Sequence, residues 1–88
     1  MTYNLVFTQS AQKEWQSLDN TVKTAFKKKL TKVLEMPHIE KNRLSGYAGF
    51  RYKIKLRTVG YRLLYEVIDD TVTVEVIAIG KRDTIYNR

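Results

Sequence analysis

The chain has 88 residues and carries 16 Lys and Arg against 9 Asp and Glu, a formal net charge of +7. A chain of this length forms a single domain over residues 1–88 that buries only about 60 to 65% of its unfolded surface, which excludes a deep cofactor cavity. It has no cysteine and one histidine, His38, so disulfides, thiolate metal sites, cysteine nucleophiles and a histidine-rich metal centre are excluded, and its apolar runs are far shorter than the roughly 20 residues that cross a bilayer.

Thr2 to Phe7 predicts a short strand, with Tyr3, Leu5 and Phe7 alternating against Thr2, Asn4 and Val6. Ser10, or Thr8 before it, then caps a helix along which Ala11, Trp15 and Leu18 recur at helical spacing. Asp19 or Asn20 caps a second helix, whose Val22, Ala25, Phe26, Leu30, Val33 and Leu34 fall on one arc and which Pro37 stops. Lys29 interrupts that arc, so it must snorkel or lie at an edge met by another macromolecule such as RNA. After a loop from Pro37 to Gly49 the period changes to two, with Arg51, Lys53, Lys55 and Arg57 on one face and Tyr52, Ile54 and Leu56 on the other. A turn at Thr58 to Gly60 leads to a strand over 61–68, and Asp69 and Asp70 turn into a last strand over 71–79, which Gly80 is expected to break. Connections this short make those strands antiparallel. The expected fold is α+β, in the order β-α-α-β-β-β, with an antiparallel sheet packed against an N-terminal helical hairpin.

The charge is concentrated in the middle of the chain. Residues 41–65 hold seven basic side chains and no acidic one, interleaved with Tyr47, Phe50, Tyr52, Tyr61 and Tyr65. A polyanion is the partner that this pattern points to. Lys53 and Lys55 lie about 7 Å apart along a strand, close to a phosphate repeat, and Arg62 returns on the neighbouring strand. Lys81, Arg82 and Tyr86 follow the last strand and are expected to close over the same surface.

The stretches Ala11-Gln12-Lys13-Glu14-Trp15, Lys27-Lys28-Lys29-Leu30, Tyr52-Lys53-Ile54-Lys55-Leu56-Arg57, Gly60-Tyr61-Arg62-Leu63-Leu64-Tyr65 and Gly80-Lys81-Arg82 together resemble the RelE family of bacterial type II toxins over the whole length. That resemblance implies a RelE-like microbial RNase fold and a ribosome-dependent endoribonuclease, an mRNA interferase that cuts message in the A site of the 30S subunit. It also implies a cognate RelB-like antitoxin and a cytoplasmic location, with no membrane, metal or cofactor. Carried over residue by residue, it makes Lys55 the general base with Lys53 beside it. Arg62 holds the scissile phosphate, Arg82 acts on the leaving group, and Tyr86 stacks on or orients the RNA. Arg51, Arg57, Lys81, Lys27 and Lys28 are the further residues expected to contact RNA or the ribosome.

The chemistry is consistent with those residue types. Metal-free RNA cleavage needs a base for the ribose 2′-hydroxyl, charge to stabilise the phosphorane and help for the departing 5′-oxygen. One histidine cannot supply a His pair, whereas a lysine among cations has its pKa lowered toward a usable value. Arginine holds its proton too tightly to be a good acid, so electrostatic stabilisation is the role that suits Arg82. His38 reads as a surface histidine and Glu66 as a surface or partner-facing acid. Two other functions fit the charge pattern: a ParE-like inhibitor of DNA gyrase, against which the Lys53, Lys55, Arg62 and Arg82 set argues, and a non-catalytic RNA-binding module.

Overall fold

The structure is a computed structural model and describes residues 2–85. Strand β1 (Asn4–Phe7) is followed by α1 (Gln9–Gln16), α2 (Asn20–Glu35), β2 (Arg43–Leu44), β3 (Phe50–Leu56), β4 (Tyr61–Ile68) and β5 (Thr73–Lys81). Thr8 caps α1, its hydroxyl accepting from the Ala11 N–H at 3.1 Å, and Asp19 caps α2 through the Val22 N–H at 2.9 Å. Helix α2 stops at Glu35 because Met36 precedes Pro37 and is driven out of the helical region, to φ −142°.

The α+β architecture is as expected, and the sheet differs from the expected one in two respects. Its order is β1-β5-β4-β3-β2, so β2 adds a short strand inside the region read as a loop. Strand β1 pairs parallel to β5, Asn4 opposite Thr73 and Phe7 opposite Val76, while the other pairs are antiparallel. Short connections constrain only strands adjacent in sequence; β1 reaches β5 across the whole chain, which makes the sheet mixed.

One face of the sheet carries the core: Tyr52, Ile54 and Leu56 of β3, Leu63, Tyr65 and Val67 of β4, and Val74, Val76 and Ile79 of β5, covered by Phe26, Leu30 and Val33 of α2. Trp15 of α1 completes it, its ring 5.6 Å from Phe7 and 6.4 Å from Phe26. Strict alternation would place Ile79 on the face opposite Val74 and Val76. A bulge on β5 restores it to the core, because Tyr65 faces Val76 and Leu64 faces Ala78, leaving Ile77 as the extra residue. Helix α1 takes over from β1 as the neighbour of β5 at that point. The Thr8 hydroxyl donates to the Ile77 carbonyl at 3.3 Å and the Glu14 carboxylate accepts from the Ile79 N–H at 3.0 Å.

The other face holds a second, smaller cluster of Leu64, Ala78 and Ile85 with Leu44 beside it. Strand β5 runs through Gly80 to Lys81, so Gly80 does not break it. Its N–H and C=O groups can join the sheet like any others, and Arg62 is its partner across β4.

Candidate active site

The outer face is ordered by the register of β3, β4 and β5 into three rows. Arg51 lies opposite Glu66, Lys53 opposite Leu64 and Ala78, and Lys55 opposite Arg62 and Gly80. In the first row Arg51 donates through Nε to Glu66 at 2.8 Å, and its guanidinium lies 4.5 Å from the centre of the Tyr47 ring. A cation held this way is largely committed to its neighbours. Glu66 is therefore the acidic partner of Arg51, one residue beyond the acid-free interval 41–65. Gly49 makes room for it, since a Cβ there would come within 3.1 Å of the Glu66 carboxyl carbon.

In the third row two cations stand side by side with no carboxylate opposite either. Lys55 and Arg62 are half-buried and directly paired across the strands, and Gly80 presents no side chain beside Arg62. Lys53 lowers the pKa of the Lys55 ammonium from its ordinary value, assisted by burial and by the charges of Arg57 and Arg62. Arg62 gives one of its guanidinium donors to the Tyr61 carbonyl at 3.0 Å, which orients the rest of the planar group.

Arg82 reaches this end of the sheet through its backbone. Its N–H donates to the Gly60 carbonyl at 2.9 Å, and Gly60 has φ +71°, a conformation glycine adopts without strain. The turn between β3 and β4 thus positions the segment after β5 beside Lys55 and Arg62. The Arg82 side chain is itself exposed, with Asp83 loosely placed at 3.9 Å. Lys81 pairs with Tyr61, so strand alternation puts it on the side opposite Arg62. Tyr86 lies outside the described residues. Arg57 follows the end of β3 and is exposed, and Lys27 and Lys28 are exposed on α2, across the sheet from the three rows. Lys27 borders an apolar groove formed by Leu5, Phe7, Trp15, Leu30 and Leu34.

Two features of the structure go beyond the expectations. One is the partner of Glu66, which was expected to face solvent or a partner and instead binds Arg51, a pairing that equal steps outward from the turn at 57–60 give. The other is the set of bonds around His38, which is partly exposed as expected. Its Nδ1 lies 2.6 Å from the Tyr52 hydroxyl and its Nε2 3.0 Å from Asp69, while the Tyr3 hydroxyl donates to Asp69 at 2.7 Å. A carboxylate only accepts, so Nε2 carries the proton and, in the neutral ring, Tyr52 donates to Nδ1. No periodicity brings residues 3, 38, 52 and 69 together.

A family model described as the ParE toxin of the type II toxin-antitoxin system parDE matches residues 5–86. Among curated proteins, the mRNA interferase toxin RelE of Escherichia coli (strain K12) is 54% identical over 83 residues, 94% of this chain and 86% of that protein. The crystal structure of isolated E. coli RelE toxin matches with a TM-score of 0.86 at 54% identity, over 90% of this chain and 83% of that one. A chain from the intact E. coli RelBE toxin-antitoxin complex also matches at 0.86 and 54%, over 90% and 95%.

Proposed function

The chain belongs to the RelE/ParE family of type II toxins, and from that premise we propose that it is an mRNA interferase, an endoribonuclease that stops translation by cutting message in the ribosomal A site. The observation that carries the reading is Lys55, with its lowered pKa, directly opposite Arg62. In the proposed reaction the neutral Lys55 amine removes the ribose 2′-hydroxyl proton and the 2′-oxygen attacks the adjacent phosphorus. The P–O5′ bond then breaks, giving a 2′,3′-cyclic phosphate and a 5′-hydroxyl whose proton comes from solvent. Arg62 stabilises the charge of the phosphorane, Arg82 that of the departing oxygen, and Lys53 holds Lys55 in its basic form. Tyr86 is assigned to orienting the RNA.

Positioning by the ribosome supplies what an isolated lysine base lacks, by holding the 2′-oxygen in line with the leaving group. The cytoplasm, where ribosomes translate, is the proposed location, and a RelB-like antitoxin is the proposed partner that keeps the toxin inactive. The family model bears the ParE description, yet the relative that is 54% identical over 94% of this chain is named an mRNA interferase, and gyrase inhibition has no need of the Lys53, Lys55, Arg62 and Arg82 set.

Mapping the 5′ ends of a reporter message in a translation extract tests the reading. Cuts should appear within translating ribosomes and be nearly absent on the same naked RNA. Lys55→Ala and Arg62→Ala should each abolish them while leaving thermal unfolding unchanged, because both side chains point away from the core. Equal cutting of naked and ribosome-bound message, or activity lost only in step with stability, overturns the proposal.

A further inference from the structure

Strand β2 covers β3 only at Arg51 and Tyr52, so among the described residues the rest of that edge, from Lys53 to Leu56, has no strand beside it. A cleft of about 360 Å³ lies there, lined by Lys29 of α2, Lys41 and Asn42 of the turn before β2, Lys55 of β3 and Arg57 just after it. Four of these five residues are cationic, they come from three separate parts of the chain, and no carboxylate is among them. Nothing in the packing calls for this convergence: Lys29, Lys41 and Arg57 are exposed, and their mutual repulsion opposes it.

The cleft is distinct from the outer-face rows but shares Lys55 with them. We infer that it is a second phosphate subsite, which binds an RNA backbone phosphate next to the one held by Arg62. The inference rests on the proposed nuclease site and adds to it a residue set that the cleavage chemistry does not require. The chemistry of the lining suits a phosphodiester. Ammonium and guanidinium groups converge on a single anion, and the Asn42 amide adds a neutral donor. The placement also suits a polynucleotide, because Lys55 belongs both to this cleft and to the row that it shares with Arg62, which makes the two phosphate positions contiguous on the surface. Lys29 therefore interrupts the apolar arc of α2 because it faces the open edge of β3, where its charge meets a ligand.

The test uses programmed ribosomes and the Lys29→Ala/Lys41→Ala double variant, with cleavage followed as a function of message-programmed ribosome concentration and salt. The variant should raise KM with kcat held, and the slope of log KM against log salt should fall by about 0.7 for the lost phosphate contact. A message with a neutral methylphosphonate linkage next to the scissile one separates the two sources of phosphate. If the subsite holds the message, that linkage raises KM for the unsubstituted protein and not for the double variant. A linkage that affects both proteins equally, while the variant still loses salt dependence, would mean that the cleft meets ribosomal RNA and would overturn the subsite for the neighbouring message phosphate. Unchanged KM and salt slope, or a raised KM that accompanies a lowered thermal midpoint, overturns the subsite. Lys55→Ala in the same assay keeps the two readings apart: its continued cleavage would refute the nuclease site, whereas an inactive Lys55→Ala with an unaltered double variant refutes the subsite alone.

Discussion

A lysine in water keeps its proton to about pH 10.4, and Lys55 departs from that chiefly because Lys53 lies two residues away on the same face. Removing Lys53 should therefore restore affinity for the proton at Lys55 and reduce the fraction of free amine at neutral pH. In Lys53→Ala the rising limb of kcat/KM against pH, measured on programmed ribosomes from about pH 6 to 9, should move to higher pH, because only the deprotonated amine acts as base. Lys53→Arg, which keeps the charge, should leave the limb near its original position. A limb that stays fixed in Lys53→Ala would remove Lys55 from the role of base. Much of this site was legible in the sequence, since the alternation of residues 51–57 puts Arg51, Lys53 and Lys55 on one side of a strand. That Arg51 also lies against Tyr47 was not, because Tyr47 comes from the loop before β3, whose path no strand alternation gives.

The helix starts, each narrowed to two candidate caps of which the structure uses Thr8 and Asp19, and the stop at Pro37 were legible for the same reason: each acts within one turn of its own residue. The link between the end of α2 and the turn from β4 to β5 is of another kind. His38, Tyr52, Asp69 and Tyr3 join four separate elements of the chain, and only the finished sheet brings them within hydrogen-bonding distance. The hydrogen bonds from Tyr3 and His38 hold the Asp69 carboxyl below its ordinary pKa. A carboxylate with a depressed folded pKa contributes stability that is fully present above its unfolded value of about 3.9 and is lost as pH falls through the folded one. Urea unfolding from about pH 2 to 6 should show that acid loss in the unsubstituted protein and a flatter profile for Asp69→Asn, whose side chain does not titrate. Parallel profiles would mean that the bonds to Asp69 contribute nothing to folding.

For the molecule as a whole, the charge excess and the β3-β4-β5 meander followed from the sequence, whereas the parallel β1, the bulge at Ile77 and the packing of the chain after β5 depend on contacts far apart in sequence. Ile85 shows the consequence for function. It is fully buried against Leu64 and Ala78 on the outer face, at the end of a segment that also bonds Arg82 to Gly60 and Thr84 to the Lys81 carbonyl. The small cluster and these backbone bonds together set where Arg82 stands relative to Lys55 and Arg62. Ile85→Ala should cost about 2 kcal/mol, the low end for such a truncation because the cluster is small. A domain with a stability of about 5 kcal/mol or more would remain almost entirely folded after that loss. Any large fall in cleavage then reports a displaced Arg82 rather than unfolded protein. Val33→Ala serves as the comparison, since Val33 is equally enclosed but lies in the core beneath α2, on the far side of the sheet from Arg82. Both variants should lower the urea midpoint, and only Ile85→Ala should lower kcat on programmed ribosomes. Equal kcat values in the two would show that packing of Ile85 does not position Arg82 for catalysis.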